Sequence, residues 1–262
     1  MTHIFLTNDD GYRSVGFVPL FAELSNIGTV TALAPNRERS WIGKAITTKK
    51  TLHIKQVKRS GFDLLTLNGT PADCIQVGVH NILQCKPDLV VSGINLGENV
   101  GHARILSSGT VGAAMEASFD GIPAIASSLS IPSDIKKTTN LFHTKNYALF
   151  RNAAMITRKL AAIMLENTFP GVDVLCVNIP LDATIDTHIM VTKPFRDPYS
   201  PLFHQHNLGF IHRVPSLVEK NLHENTDYNA VCEGMISITP LYLSLVSDQS
   251  LASTANLLKH HW

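Results

Sequence analysis

Short apolar runs of strand length alternate with segments of helical periodicity through most of this chain. The runs predict strands at Ile4 to Thr7, Val30 to Leu33, Leu64 to Leu67, Asp88 to Val91, Ile122 to Ala126 and Val174 to Asn178. Between them, the spacing predicts helices over Phe17 to Ser25, Pro71 to Asn81, Thr110 to Phe119 and Ala148 to Leu165. This alternation indicates βαβ units and an α/β fold with a mostly parallel sheet.

The pattern changes after residue 186. From Thr187 to Val231 the sequence has scattered prolines and five of the twelve histidines, without clear helical periodicity. Such a segment suits an arm or long hairpin that projects from the core for subunit contact. A last strand is predicted from Met235 to Thr239. We therefore expect a core over residues 1–186, and a second part over residues 187–262 that holds the arm, this strand and an oligomerisation segment.

Length and composition fit a globular protein with a sizeable core. The chain has 262 residues, 44% of them apolar, which is enough for one large α/β domain or two small ones. Its formal net charge is only +1, so no basic surface for a nucleic-acid duplex is predicted. The four cysteines are widely spaced and are interpreted as reduced core residues. No apolar run approaches the roughly 20 residues of a membrane span, so a cytoplasmic location without membrane contact is predicted.

Two adjacent carboxylates, Asp9 and Asp10, follow the first predicted strand and precede Gly11, which allows a sharp turn. In an open α/β sheet, ligands collect at the carboxyl ends of strands. Two like charges about 4 Å apart repel by roughly 4 kcal/mol at an effective dielectric of about 20, and no Lys or Arg lies within two residues. A divalent cation would offset this repulsion, so the pair indicates a metal site. A solvated turn or helix N-cap is the alternative.

Two loops are expected at the same edge of the sheet. Ser40, after the second strand, can present a hydroxyl oxygen to the cation, although a loop serine is more often a turn or cap residue. The stretch Ser92 to Gly101 has three glycines at four-residue spacing, which lets backbone N–H groups approach an anion. Within it, Asn95 and Asn99 can offer an oxygen to a metal or an amide proton to a phosphate. The spacing matches neither the Walker loop nor the dinucleotide fingerprint, and a loop built only for turning is the alternative.

A helix start supplies the candidate phosphate site. Ser108, Gly109 and Thr110 open the predicted helix, where unpaired N–H groups and the positive end of the helix dipole favour an anion. Capping alone would also explain these residues. Gly43, in the loop after Ser40, and Asn99 complete the phosphate-binding candidates. An oxygen-ligand cation site beside an anion-binding helix start is typical of a metal-dependent phosphate-ester hydrolase.

A series of short motifs runs through nearly the whole chain: Leu6-Thr7-Asn8-Asp9-Asp10-Gly11-Tyr12, Ala34-Pro35-Asn36 with Ser40, Ala45-Ile46-Thr47, Asn68-Gly69-Thr70-Pro71-Ala72-Asp73-Cys74, Ser92-Gly93-Ile94-Asn95, Ser108-Gly109-Thr110-Val111, Val177-Asn178-Ile179-Pro180 and Ser237-Ile238-Thr239-Pro240-Leu241. In this order they closely resemble the survival protein SurE family, whose members are metal-dependent 5′- and 3′-nucleotidases.

The resemblance implies that Asp9, Asp10, Ser40 and Asn95 bind one divalent cation per subunit, Mg²⁺ or Mn²⁺, and that Asp9, Asp10 and Asn95 are catalytic. It also implies a Rossmann-like three-layer core, with a projecting β-hairpin and a carboxyl-terminal segment that form a homodimer. Pairing of dimers into a tetramer is left open. The implied reaction is hydrolysis of nucleoside 5′- and 3′-monophosphates to nucleoside and phosphate, with short polyphosphate as a further substrate. Metal-activated water is preferred over a carboxylate as the nucleophile.

Two stretches depart from the family pattern. The segment His102-Ala103-Arg104-Ile105-Leu106-Ser107 stands where the family usually has an acidic pair and then a tyrosine. Trp41 follows Ser40 at a position where a small residue is common. Both stretches are expected near the substrate mouth, so a catalytically weakened phospho-ligand-binding module is the alternative function. A signalling receiver would be much shorter, and a dinucleotide-dependent oxidoreductase would need its glycine fingerprint at the first turn.

Overall fold

The computed structural model describes residues 2–132, 135, 143–196, 201–213 and 224–261. Nine of its strands form one sheet. In chain order, the strands are β1 (His3–Thr7), β2 (Thr29–Pro35), β3 (Ile54–Arg59), β4 (Phe62–Leu67), β5 (Leu89–Leu96), β6 (Ala124–Ser130), β7 (Val174–Pro180), β8 (Ile189–Val191), β9 (Phe203–His206), β10 (Gly209–His212) and β11 (Ile236–Leu241).

The main sheet is mostly parallel, as the sequence pattern predicts. Its strand order is β3-β4-β2-β1-β5-β6-β7-β11-β8. The six strands from β4 to β7 in this order are parallel to one another. At one edge β3 is antiparallel to β4, and at the other β11 is antiparallel to β7 while β8 runs parallel to β11. Strands β9 and β10 form a separate hairpin.

Helices cover both faces of this sheet. They are α1 (Phe17–Leu24), α2 (Pro71–Val77) with a π-helical turn (Gly78–Ile82), α3 (Gly101–Ser107), α4 (Gly109–Phe119), a 3₁₀ turn (Thr144–Phe150), α5 (Arg151–Glu166), α6 (Asp227–Cys232) and α7 (Asp248–His261). Apolar residues of α1 and α5 fill the core on one face, and those of α2 and α4 fill the core on the other. The α/β three-layer architecture expected from the sequence is therefore confirmed.

Local sequence explains where the helices beside the site begin. Thr70 caps α2 in a reciprocal arrangement, since its side chain accepts from the Asp73 N–H and the Asp73 side chain accepts from the Thr70 N–H. Ser108 caps α4, where its Oγ accepts from the Val111 N–H at 3.2 Å. The small residues of α4 allow close packing, because a Cβ atom on Gly112 would lie 2.6 Å from the Gly43 carbonyl oxygen.

The strands and helices predicted for the core are present, with ends that differ by a few residues. One difference matters for the site: β5 continues to Leu96 instead of ending near Val91, so Asn95 lies within a strand. The pattern did not predict β3, α3, α6 or α7. Most residues of β3 are exposed at the sheet edge, so it lacks an apolar run, and α3 begins directly after the glycine-rich stretch.

The stretch predicted as an arm has two parts in the structure. Strand β8 lies in the main sheet beside β11, whereas β9 and β10 form an exposed hairpin. Residues 197–200 and 214–223 of this stretch lie outside the described residues. The division at residue 186 and the role of the second part in oligomerisation remain predictions.

Candidate metal and phosphate site

The candidate site lies where the strand order of the sheet reverses. From β1 the chain continues to β2 and β4 on one side, then returns to β5 and continues to β6 and β7 on the other. Ligands of open α/β sheets bind in the crevice at the carboxyl ends of strands at this switch point. Thr7 of β1 pairs with Ser92 of β5, so Asp9 and Asp10 follow one strand while Asn95 lies near the end of its neighbour.

The turn that presents the two carboxylates is held by its own hydrogen bonds. Asn8 Nδ2 donates to the Gly11 carbonyl, and the Gly11 N–H donates back to Asn8 Oδ1, each at 3.1 Å. Gly11 has a left-handed φ of 84°, and a Cβ atom there would lie 3.1 Å from the Pro35 carbonyl oxygen. Glycine is therefore required where this turn passes the end of β2.

Asp9 is buried against the start of α4. The residue is 4% exposed, and the Thr110 hydroxyl donates to Asp9 Oδ1 at 2.5 Å. A Cβ atom on Gly109 would lie 2.8 Å from Asp9 Cβ and 3.1 Å from Ile42 Cγ2. Only a glycine at position 109 lets the start of α4, the Asp9 side chain and the loop that contains Ile42 come this close together.

Asp10 connects the first strand to the fifth. The Leu96 N–H donates to Asp10 Oδ2 at 3.0 Å, and the Asp10 residue is 6% exposed. The neighbouring Asn95 donates through Nδ2 to the Gly97 carbonyl at 2.6 Å. This hydrogen bond fixes the Asn95 amide through its nitrogen and does not use Oδ1, the atom that a divalent cation would bind.

Ser40 is held in the loop after β2, which is itself fastened to the carboxylate turn. The Arg39 N–H donates to the Asp9 carbonyl at 2.7 Å. The Ser40 hydroxyl donates to Glu38 Oε1 at 2.6 Å. Glu38 was not predicted as a site residue from the sequence, because no motif singled it out. The sequence signal that could have identified it is its place two residues before Ser40, a candidate metal ligand.

The pKa of the Asp9 carboxyl shows the electrostatic character of the site. Burial raises this pKa above its usual value, the hydrogen bonds from Thr110 lower it, and the nearby Glu38 carboxylate raises it again. Burial and a second carboxylate both disfavour the charged form of Asp9. A divalent cation would reverse this balance, since it favours the ionised carboxylate.

The phosphate candidates divide into two groups. At the start of α4, Thr110 is engaged with Asp9, whereas the Ser108 oxygen only accepts from Val111, so its hydroxyl proton is not used in that bond. Gly43 packs beside this helix start, where its N–H donates to the Ser107 carbonyl at 2.9 Å. The structure thus brings Ser108, Gly109 and Gly43 to one place.

Asn99 lies deeper in the fold. Its side chain is buried and Nδ2 donates to Ser128 Oγ at 2.9 Å. Its backbone N–H donates to Asn178 Oδ1 at 2.7 Å, and its carbonyl accepts from Asn178 Nδ2 at 3.3 Å. These contacts join the loop to β6 and β7, and they give Asn99 a structural role beside the predicted phosphate contact.

The departure at residues 102–107 forms most of α3 and is anchored to the carboxyl-terminal part of the chain. The Gly101 N–H donates to Asp227 Oδ2 at 2.7 Å, and the His102 N–H donates to the Phe195 carbonyl at 2.9 Å. Burial raises the pKa of the Asp227 carboxyl, while N–H donors from Gly101, Phe195 and Tyr228 lower it. Asp227 is therefore a buried anchor for this helix.

Charged side chains near the mouth of the site form two ion pairs. Arg104 Nη1 donates to Glu98 Oε1 at 2.6 Å. Lys44 pairs with Glu116 of α4, which also accepts from Gln76 at 2.6 Å. The positive charges of Arg104 and Lys44 are thus paired with carboxylates of this chain.

Within the described ranges, no group of three or more His, Cys, Asp or Glu side chains is arranged to hold a metal. The predicted set contains two carboxylates with Ser40 and Asn95, so it would not form such a group. Among the helices of the described part, none has the length and apolar character needed to cross a membrane.

Comparison with known proteins gives matches over nearly the whole chain. The model of the survival protein SurE family matches residues 4–201. A 5′-nucleotidase SurE of Methanocella arvoryzae is 34% identical, with 99% of this chain and 98% of the relative covered. A 5′-nucleotidase SurE of Geotalea uraniireducens is 40% identical, with 95% and 96% covered. The crystal structure of a SurE protein from Aquifex aeolicus superposes with a TM-score of 0.79 at 32% identity, over 97% of this chain and 99% of that one.

Proposed function

The chain belongs to the survival protein SurE family, and we propose that it is a metal-dependent phosphomonoesterase that hydrolyses nucleoside 5′- and 3′-monophosphates to nucleoside and phosphate. Short polyphosphate is a further proposed substrate. The observation that carries this proposal is the hydrogen bond from Thr110 to Asp9. It joins a buried carboxylate pair to a helix start, so an anion and a cation can be bound side by side at the switch point.

The chemistry of the donor set fits one Mg²⁺ or Mn²⁺ ion per subunit. Asp9, Asp10, Ser40 and Asn95 would hold it through oxygen atoms, the ligands these ions prefer. Burial of Asp9 and Asp10 supports this assignment, because two adjacent buried carboxylates are costly without a cation. When bound, the cation would polarise a phosphoryl oxygen and lower the pKa of a coordinated water.

Glu38 would act on the site through Ser40. Because the Ser40 hydroxyl proton points to Glu38, the lone pairs of Ser40 Oγ are left to face a cation. The negative charge of Glu38 also makes the serine oxygen a better donor to the cation. We therefore assign Glu38 as a positioning residue, while Asp9, Asp10 and Asn95 are the proposed catalytic residues.

The phosphate would lie at the start of α4. The Ser108 hydroxyl and the Gly109 N–H are the nearest candidate donors, and the positive end of the helix dipole favours the anion there. Gly43 and Asn99 complete the proposed phosphate contacts, Gly43 by close approach alone because its N–H donates to the Ser107 carbonyl. Thr110 is a further proposed phosphate contact. It also orients Asp9, because its hydroxyl donates to that carboxylate. The phosphorus atom would then lie between the start of α4 and the two carboxylates.

The second part of the chain would form the homodimer. The tip of the β9–β10 hairpin exposes Leu208 and Phe210, and α7 exposes Leu251, Leu257 and Leu258. Exposed apolar surface of this kind is typical of subunit interfaces. Pairing of such dimers would give a tetramer. A cytoplasmic location remains part of this proposal.

Phosphate release tests the proposed activity. The full-length protein would be assayed with a panel of 5′- and 3′-nucleoside monophosphates in Mg²⁺, in Mn²⁺ and in EDTA. We expect release with either metal and none in EDTA. If a folded, metal-loaded protein released no phosphate from any nucleotide, the weakened binding module would replace the enzyme as the proposed function. That alternative rests on the altered sequence of residues 102–107 in α3.

A further inference from the structure

An aromatic cluster lies beside the proposed cation ligand Ser40. It consists of Trp41, His212 and Phe203, and we call these three residues the aromatic cluster. The Trp41 and His212 ring centroids are 5.1 Å apart in an edge-to-face arrangement. The His212 and Phe203 centroids are 5.7 Å apart in the same arrangement. Trp41 comes from the loop after β2, and the other two residues come from the β9–β10 hairpin.

The position of Trp41 is fixed from both sides. Before it, the Arg39 N–H donates to the Asp9 carbonyl. After it, Ile42 lies against the start of α4, and the Gly43 N–H donates to the Ser107 carbonyl. The backbone of Trp41 is therefore held between the carboxylate turn and the start of α4.

The conformation of Trp41 is unusual for a structural residue. Its φ is 58°, in the left-handed region that bulky residues rarely adopt, and 38% of its surface is exposed. Phe203 is 59% exposed. Residues held in sparsely populated backbone conformations cluster at active sites and ligand clamps.

We propose that the aromatic cluster is the nucleobase subsite of this protein, with the base stacked on Trp41. In a nucleoside monophosphate only the ribose separates the base from the phosphate, and Trp41 directly follows Ser40. Every base offers a π-face to an aromatic side chain, so stacking here would accept any base and favour the larger purines. This inference rests on the proposed function for its substrate class. It goes further by assigning the residues that would select nucleotides over other phosphate esters.

Tryptophan fluorescence tests the subsite directly. The chain has two tryptophans, Trp41 and Trp262, so the full-length Trp262→Phe variant reports on Trp41 alone. Adenosine, uridine and ribose would be titrated into this variant without metal. We expect saturable quenching by adenosine, weaker quenching by uridine and none by ribose. An emission that does not respond to either nucleoside would overturn the proposal.

Kinetics separate a stacking role from a purely structural one. For Trp41→Ala, we expect the ratio of the KM for adenosine 5′-monophosphate to the KM for ribose 5-phosphate to rise about tenfold. Trp41→Phe keeps an aromatic ring, so it should restore most of the wild-type ratio. If Trp41→Ala raised both KM values equally, or if Trp41→Phe behaved like alanine, the cluster would only pack the hairpin against the core.

The two proposals fail in different ways. Metal-dependent phosphate release without any effect of nucleosides on Trp41 would overturn the subsite and leave the nucleotidase intact. Quenching by adenosine in a protein that releases no phosphate would support the subsite and overturn the nucleotidase.

Discussion

Two regions of this molecule differ in which side chains they bury and which they expose. At the switch-point edge, polar groups are buried: Asp9 and Asp10 are 4% and 6% exposed, and each accepts a hydrogen bond from another element. In the β9–β10 hairpin, apolar groups are exposed, with Phe210 75% exposed and Leu208 fully exposed.

The contrast shows what each region lacks. Buried carboxylates are costly unless an opposite charge or a donor compensates them, which supports the proposed cation at the switch-point edge. Exposed large apolar side chains are compensated when another surface covers them, which supports the proposal that Leu208 and Phe210 of the hairpin, together with α7, contact a partner copy. Changes in the first region should therefore alter chemistry, and changes in the second should alter assembly.

The largest expected effect comes from removing a charge at the switch-point edge. Asp9→Asn and Asp10→Asn should each lower kcat for nucleotide hydrolysis by about 1,000-fold or more, because each removes a proposed metal ligand. Phosphate release at saturating Mn²⁺ measures this change. Asp63→Asn is the matched control, since Asp63 lies on β4 with a 61% exposed side chain. A mutant of either acid that kept wild-type activity would contradict the assigned site.

A charge in the second region should instead change assembly. Leu258→Lys would place an unpaired charge in the proposed interface of α7 and should weaken dimerisation by about 100-fold or more. Asn256→Lys adds the same charge at another exposed position of α7 and serves as the control. Light scattering after size-exclusion chromatography gives the mass of each variant. The interface would be misassigned if Leu258→Lys remained as dimeric as the control.

The hydrogen bond between Thr110 and Asp9 should have a smaller effect on catalysis. Thr110→Val keeps the side-chain shape but removes the donor, so Asp9 should be less well oriented and kcat should fall about tenfold. Thr66→Val makes the same change at a buried hydroxyl without a hydrogen-bond partner in the described part of the chain. That control should keep full activity and be at least as stable as the wild type. Equal activity of the two variants would mean that the hydrogen bond from Thr110 does not orient Asp9 for catalysis.

The smallest expected effect is on stability without metal. Burial raises the pKa of Asp9 in the folded state, so the folded protein loses stability as pH rises and Asp9 ionises. Asn cannot ionise, and Asp9→Asn in EDTA should therefore raise the Tm by about 2 to 4 °C at pH 8. The gain should disappear below about pH 4, where Asp9 is protonated in both states. Thermal unfolding at pH 8 and below about pH 4 measures this gain in Tm. An equal gain at both pH values would exclude ionisation of Asp9 as its cause.

The core and the place of the site could be predicted from sequence because both depend on local patterns. Apolar runs identified the parallel strands, and a motif directly after β1 located the carboxylates at the carboxyl end of the sheet. Glu38 could not be identified in this way, because its role depends on a hydrogen bond to Ser40 and on its closeness to Asp9 in space.

Other features depend on contacts between distant residues. Trp41 meets His212 across 171 positions of sequence, and no periodicity predicts such a contact. The α3 helix is fixed by Asp227, a buried carboxylate from the far end of the chain. The described side chains of helix α7 are exposed. Its sequence therefore does not show the pattern of a helix with one buried face. Each of these features needs tertiary structure to be recognised.

Titration of Mn²⁺ into the metal-free, full-length protein by calorimetry tests the central claim most directly. The wild type and Asp63→Asn should each bind one ion per chain at the switch-point edge. In Asp9→Asn the affinity should fall by about 100-fold or more, because a charged ligand is lost. Unchanged binding of Mn²⁺ by Asp9→Asn would contradict the account, since the ion would then be held elsewhere.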